Sequence, residues 1–460
     1  MNNKDYSRPL DVHRISEHPK VQEVIKVLYE ELKKSGYLGK SSQKKILKHL
    51  KAVVLDLYIG YCSDPLLFIG YPRNREKYSK ETRLGQMFFG YRPMMRVVDG
   101  LAGLGYLENH KGFQDQSSGH SRQSRMRATQ SLIGLIEGHS VTPVMIEQES
   151  KELLVLRDAD GQDIPYEDTV ETRRMEDQLR SYNAFIGEHQ LGISLPTEKV
   201  RTLLMERRSN PIDYTRDQLC RVFNETFSRG GRFYQGWWQE MPSDLRKYIT
   251  INGESASELD YSGQHLQLLY ALKGEEYRWL KGQVDPYGEN NRELMKQVFL
   301  ICVNEQNRAK AVQAIRKEIN FNHPDLTSTN QFINPLIDTT IEKHPELSDY
   351  FFSGMWAELQ YQDSRIAEYV LNHMTAKRIL VLPVHDSFVV QDQYIDHLYS
   401  IMKEAYRMLG IDSIPEVKLK SGANSDLNQR SFKQLQSLME EEQLATYKEM
   451  EALKALEDYV

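Results

Sequence analysis

The stretch SELDYSGQHLQLLYAL, residues 257–272, decides how this chain is read. Period-two alternation puts Leu259 and Tyr261 on one face of a short strand and Asp260 on the other. The aspartate therefore stands at a strand end, just before an apolar helical pattern. A second stretch, RILVLPVHDSFVVQD at 378–392, has apolar runs at 379–382 and 388–390 on either side of His385 and Asp386. That pattern predicts a β-hairpin with Asp386 at its tip. Either aspartate alone reads as a turn or cap residue. Together they match what metal-assisted phosphoryl transfer needs, carboxylates shared by two cations about 4 Å apart. Mg²⁺ prefers oxygen ligands and keeps several waters. The expected ligands of two Mg²⁺ ions, with Mn²⁺ as a substitute, are Asp260, Asp386 and the main-chain carbonyl of Tyr261.

Between the two aspartates lies NNRELMKQVFLICVN, residues 290–304. Arg292 and Lys296 are four apart and share one helix face, with Val298, Phe299, Cys302 and Val303 on the apolar side. Two cations so placed can clamp a triphosphate, although an isolated R-x-x-x-K is ordinary helix surface. Upstream, GGRFYQGWWQE at 230–240 carries Arg232 and the aromatic run Phe233, Tyr234, Trp237 and Trp238. The aromatics read equally as base-stacking groups or as core.

The order of these motifs resembles the palm and fingers of A-family DNA polymerases and of the single-subunit RNA polymerases of phages and mitochondria. The resemblance covers about residues 226–422. It implies an α+β fold: a right-hand palm built on an antiparallel sheet, with helical fingers. It also implies that Asp260 and Asp386 are the metal ligands and that Arg292 and Lys296 bind the triphosphate. VDPYGE, residues 284–289, resembles the segment just before the fingers helix and puts Asp285 and Tyr287 near the nucleotide. Arg232, Gln239, Arg246 and His385 would hold primer and template. ELQYQDSRIAEYVL at 358–371 resembles the helix before the last motif, bringing Gln360, Gln362, Asp363 and Ser364 to the site. The partners so implied are a nucleic acid template, DNA first, and nucleoside triphosphates.

Three departures bear on sugar choice. Ser387 follows the His-Asp pair, as in the RNA branch, where the DNA branch has Glu. His265 replaces the Glu that blocks the ribose 2′-hydroxyl in the DNA enzymes. Asn304 replaces a fingers tyrosine that positions the nucleotide. An RNA-synthesising primase or small RNA polymerase is the first expectation. A DNA polymerase is the alternative, and a DNA-binding replication initiator with an inactive palm is the second alternative.

The rest of the chain sets bounds. Its 460 residues suffice for two or three domains, and 40% hydrophobic with 27% charged residues is globular composition. A net charge of −6 gives no global nucleic-acid signature, so such contacts need local basic surfaces. Three scattered cysteines suggest a reducing compartment. MNNKDYSRPL lacks a signal-peptide core and no apolar run spans a bilayer, so the expectation is a cytoplasmic protein without membrane contact. Five zones are expected: a helical lead over 1–40, a basic domain over 41–143, a helical connector or thumb-like region over 144–225, the palm and fingers over 226–422, and a charged helix over 423–460. In the basic domain, KILKHLKAVVLDLYIGY (45–61) reads as an amphipathic helix. The order helix, helix, strand, loop and return is that of a winged helix. Arg73, Arg75, Lys77, Lys80, Arg83, Arg92, Arg96, Lys111, Arg122, Arg125 and Arg127 would bind phosphates there, unless they form a solvated basic face. A small polymerase with an added binding domain suits a phage or mobile element, alongside that element's replication proteins.

Overall fold

The computed structural model describes residues 5–78, 89–114, 121–149, 152–275, 277, 279, 285–288, 291–411 and 414–422. The helix expected over 423–460, Lys80, Arg83 and the side chain of Lys77 lie outside the described residues. The fold is mixed α+β and divides into two compact units.

The first unit comprises residues 1–152, 195–216 and 240–242. Its centre is the helix Gln43–Ser63, started by Ser42, whose side chain accepts a hydrogen bond from the Lys45 amide. The amphipathic pattern expected holds only for the near half of this helix, because every residue from 52 to 60 is buried. Its far half is apolar all round, which suits a helix enclosed by its neighbours. The helices Pro19–Lys34 and Tyr91–Gly103 pack with it, and Gln130–Gly138 packs on Pro19–Lys34. A four-stranded sheet runs in the order Ser7–Pro9, Phe68–Tyr71, Ser124–Ala128, Leu107–His110. The last two strands form an antiparallel pair following the helix Tyr91–Gly103.

One buried charge network ties this unit together. Asp56, on the central helix, is fully buried and accepts both guanidinium hydrogen bonds of Arg8 at 2.7 and 2.9 Å, the Nε of Arg14 at 2.6 Å, and the amide of Asp11 at 2.9 Å. Arg14 also donates to Thr215, and both arginines lie 3.5 Å from Asp213. The N-terminal lead and the segment 195–216 are thereby held to the same helix. The lead is therefore no separate zone, and the stretch 144–225 contributes to both units.

The second unit comprises residues 153–194, 217–239 and 243–460. One antiparallel sheet carries the strands Leu191–Ile193, Ile249–Ile251, Glu254–Tyr261, Ser387–Gln391 and Val381–Val384 in that order, with Val417–Gly422 also paired to Glu254–Tyr261. A second sheet holds Asp163–Ile164, Leu154–Arg157, Cys220–Asn224 and Thr226–Tyr234. The expected helical connector is thus partly strand. The helix Trp356–Ala376 packs on the strand Thr226–Tyr234 and on the helix Ile395–Met408. Phe233, Trp237 and Trp238 are buried, and the indole of Trp238 donates to the Pro383 carbonyl at 2.9 Å, so these three aromatics are core. Among the described residues no helix is long and apolar enough to cross a membrane.

Removing one partner of a buried charge network leaves the others desolvated and unpaired, which costs about 3–5 kcal/mol. Asp56→Ala should lose that much stability in urea unfolding of the full chain. A loss below about 1 kcal/mol, the range of an exposed pair, would show that the network does not hold the first unit.

Candidate active site

The strand Glu254–Tyr261 runs through the middle of its sheet. Asp260 lies opposite Ser387 on one neighbour and opposite Lys418 on the other. The strands Val381–Val384 and Ser387–Gln391 pair Val384 with Ser387, leaving His385 and Asp386 as a two-residue turn. That is the hairpin read from the sequence. His385 takes φ 60° at the first turn position, where glycine is the unstrained choice. The Asp386 carbonyl accepts from the Tyr261 amide at 3.4 Å, so the two aspartates come from distant segments to neighbouring backbone positions.

Their electrostatics are unusual. Oδ1 of Asp260 is buried and has no hydrogen-bond partner, and Oδ2 lies 3.6 Å from the Lys420 ammonium. Burial, and then the charge of Asp386, push the Asp260 carboxyl up to about 6, against the pull of Lys420. Glu258, two residues earlier on the same face, behaves in the opposite way. Burial opposes its ionisation, yet the hydrogen bonds and charge of Arg246 outweigh burial and hold its carboxyl below the usual range. Arg246 grips both oxygens of Glu258 at 2.8 and 3.0 Å, and the Ser387 hydroxyl donates to Oε1 at 2.6 Å.

Arg232 is presented by an irregularity in its strand. Gly230 and Gly231 have φ 77° and 79°, and the pairing with Cys220–Asn224 shifts register beside them. A Cβ at Gly231 would sit 2.6 Å from the Phe223 ring and 2.9 Å from the Ser364 hydroxyl, so only glycine lets the helix Trp356–Ala376 approach this closely. From that helix the buried Asp363 accepts Arg232 Nε at 2.5 Å. Arg232 Nη2 lies 3.2 Å from His265 Nε2. A guanidinium only donates, so this nitrogen accepts and the imidazole proton sits on Nδ1. His265 is therefore neutral, consistent with a pKa lowered first by burial and further by the charges of Arg232 and Lys296. His385 packs edge-on against Tyr234 at 5.8 Å, and burial and Arg232 lower its pKa as well.

Other expected residues are placed differently. Arg246 is spent on Glu258, and Gln239 donates to the carbonyls of Phe233 and Pro383 while accepting from the Gly236 amide. Both brace the interior, Arg246 at the Glu258 carboxylate and Gln239 at two main-chain carbonyls. Ser387, bonded to Glu258 and to the Val384 carbonyl, is buried and faces no substrate. The Tyr261 ring is core, its hydroxyl donating to the Met402 carbonyl at 2.6 Å. Arg292 begins the helix Arg292–Asn304 and is exposed. It pairs with Asp285 at 2.6 Å and Glu293 at 3.1 Å, and lies over the Tyr287 ring at 5.6 Å. Lys296, on the same helix, is half-buried and near enough for its charge to be felt at His265. Asn304 ends that helix, about 12 Å beyond Lys296 at 1.5 Å per residue, with its Oδ1 buried and without a hydrogen-bond partner. Gln360 is half-buried, and Gln362 accepts from Arg365.

In the first unit, Arg96 donates to the Leu38 carbonyl and Ser41, Arg125 to Asp5, and Arg127 to Glu108. These three serve the unit itself. Arg92 is exposed, and Arg122 lies 5.2 Å over the ring of Phe113, itself exposed.

Sequence reasoning passed over Glu258, Lys420 and Arg221. Arg221 is buried between Glu368 at 2.7 Å and the Gly231 carbonyl at 2.9 Å, and it braces the Arg232 strand from behind. The one available signal was the period-two spacing of Glu258 and Asp260. Among the described residues no group of three or more His, Cys, Asp or Glu side chains could hold a metal ion. No family model matches the chain, and no curated protein matches it.

The raised Asp260 pKa has a stability consequence. Unfolded, this carboxyl titrates near its ordinary 3.8; folded, it keeps its proton to about 6. Between those values the folded state binds more protons, so stability falls as pH rises through the window and stays reduced above it. Asp260→Asn carries no such charge. In EDTA it should be more stable than the parent by about 1–3 kcal/mol at pH 7.5, with the advantage vanishing toward pH 4. Equal stability at pH 7.5 would contradict the burial argument.

Proposed function

We propose that this chain is a template-directed nucleotidyltransferase that synthesises RNA, as a primase or small RNA polymerase. The observation that carries the proposal is the pairing of Asp260, on the central strand, with Asp386 at the tip of the adjoining hairpin. The donors fit a divalent cation: hard carboxylate oxygens, one of them buried without a partner, in a site that raises the pKa of its own carboxylate. Two carboxylates and a main-chain carbonyl, with waters and phosphates completing the shell, are sufficient for Mg²⁺. Asp260, Asp386 and the Tyr261 carbonyl would hold the ions. The chemistry such ions would supply there is charge stabilisation of the attacking 3′ oxygen and the leaving pyrophosphate in in-line displacement at the α-phosphate.

The chain's own residues supply the positioning. Lys296 and Arg292 bind the triphosphate, and Arg292 exchanges Asp285 for phosphate oxygens as it does so. Asp363 fixes the direction of Arg232, which with His385 meets primer and template. His265 supports ribonucleotides: the blocking carboxylate of the DNA enzymes is replaced by a neutral imidazole tied to Arg232. Ser387 carries no weight in sugar choice, since it is consumed by Glu258. In the first unit, the order of helix Gln43–Ser63, strand Phe68–Tyr71, helix Tyr91–Gly103 and hairpin supports a winged helix that binds template through Arg92 and Arg122.

Primed and unprimed templates with Mg²⁺ and either labelled NTPs or dNTPs test this. Incorporation of NTPs is expected, with Asp260→Ala and Asp386→Ala each lowering it about 10³-fold or more while both variants still melt cooperatively. Incorporation of dNTPs alone would move the chain to the DNA branch. No incorporation, or unchanged rates in both variants, would overturn the enzyme reading. Template affinity offers a separate test. Arg92→Ala with Arg122→Ala should lower the slope of log K against log salt by about 2. An unchanged slope would remove these two arginines from the template path.

A further inference from the structure

We infer that Lys420 is a built-in counter-ion for Asp260, which keeps the carboxylate pair poor in metal until a nucleotide arrives. This rests on the reading of Asp260 and Asp386 as a cation centre and adds an order of loading to it. Lys420 lies on the strand Val417–Gly422, antiparallel to the Asp260 strand. Its ammonium is 3.5 Å from Glu258 Oε1 and 3.6 Å from Asp260 Oδ2. Glu258 has no need of it, being already gripped by Arg246 at both oxygens and by Ser387. Lys420 thus lies between the two carboxylates, and of the two Asp260 lacks any other cation among the described residues and has an oxygen with no hydrogen-bond partner.

The side chain can also leave. Lys420 is 38% exposed, and lysine carries a compact charge on a flexible four-carbon stem. A divalent cation on Asp260 would sit within a few ångströms of this ammonium, where like charges repel strongly. Metal binding to the free protein therefore works against Lys420. A nucleoside triphosphate changes the balance, because it adds several negative charges and offers the ammonium phosphate oxygens in exchange for Asp260. Cation and nucleotide then bind with positive coupling, as any two ligands must when each relieves the same opposing contact.

Mn²⁺ binding to the full chain, followed by the loss of the free-ion electron paramagnetic resonance signal, tests this without activity. Without nucleotide, Lys420→Met should tighten Mn²⁺ binding about tenfold or more, and Lys420→Arg should bind like the parent. A non-hydrolysable NTP analogue should tighten the parent more than Lys420→Met, bringing the two together. Unchanged or weaker binding by Lys420→Met, while Asp260→Asn abolishes binding, would overturn the role of Lys420 and leave the cation centre standing. If the parent and Lys420→Met bind no more Mn²⁺ than Asp260→Asn, the centre itself fails and the inference falls with it.

Discussion

Glu258 accepts two hydrogen bonds from Arg246 and one from Ser387, with Ser421 3.4 Å and Lys420 3.5 Å away. The turn at 243–248, the central strand, the Asp386 hairpin and the last strand thus meet on one buried carboxylate. The register of these strands fixes where Asp260 and Asp386 lie, so the candidate site depends on this clamp. A buried ion pair is weak evidence of net stability but strongly directional, since losing either partner strands the other in a low dielectric. Because Glu258 is gripped at both oxygens where it stands, the sheet can carry a second carboxylate two residues on that has one buried oxygen without a hydrogen-bond partner.

That second carboxylate is a place where the sheet gives up stability. Asp260 is desolvated beside Asp386, and the turn that carries Asp386 forces His385 into the left-handed region. At this place left-handed backbone and an unpaired buried oxygen come together on two adjoining strands and their turn. Such clusters are expected where a ligand completes the structure. Around them the Arg232–Asp363 pair and the neutral His265 form a rigid wall, made possible by the two glycines that let helix and strand approach.

The parts legible in the sequence were those with a local pattern. Alternation around Asp260 and the apolar runs around Asp386 specify a strand and a hairpin without further information, and both form. The helix from Arg292 follows in the same way. What stayed hidden was the use of each polar side chain. Arg246 and Gln239 look like ligand contacts until their hydrogen bonds are seen to end inside the protein. Lys420 and Arg221 carry no signal at all, because Lys420 meets its partners through a strand pairing that spans more than a hundred residues and Arg221 meets Glu368 on a helix equally remote in sequence. The central helix of the first unit reads as amphipathic along its whole length because four lysines in its near half mask an apolar far half. The return of 195–216 to the first unit brings Asp213 and Thr215 to Arg8 and Arg14, and Arg201 to Asp64, and no local pattern announces such contacts.

The central claim is that Asp260 and Asp386 form one cation centre. Anomalous diffraction at the manganese edge, from crystals grown with Mn²⁺ and a non-hydrolysable nucleoside triphosphate, addresses it directly. Two peaks about 4 Å apart, bridged by the carboxylates of Asp260 and Asp386, are the predicted result. Peaks elsewhere with none between these two residues, in crystals where the nucleotide is bound, would contradict it.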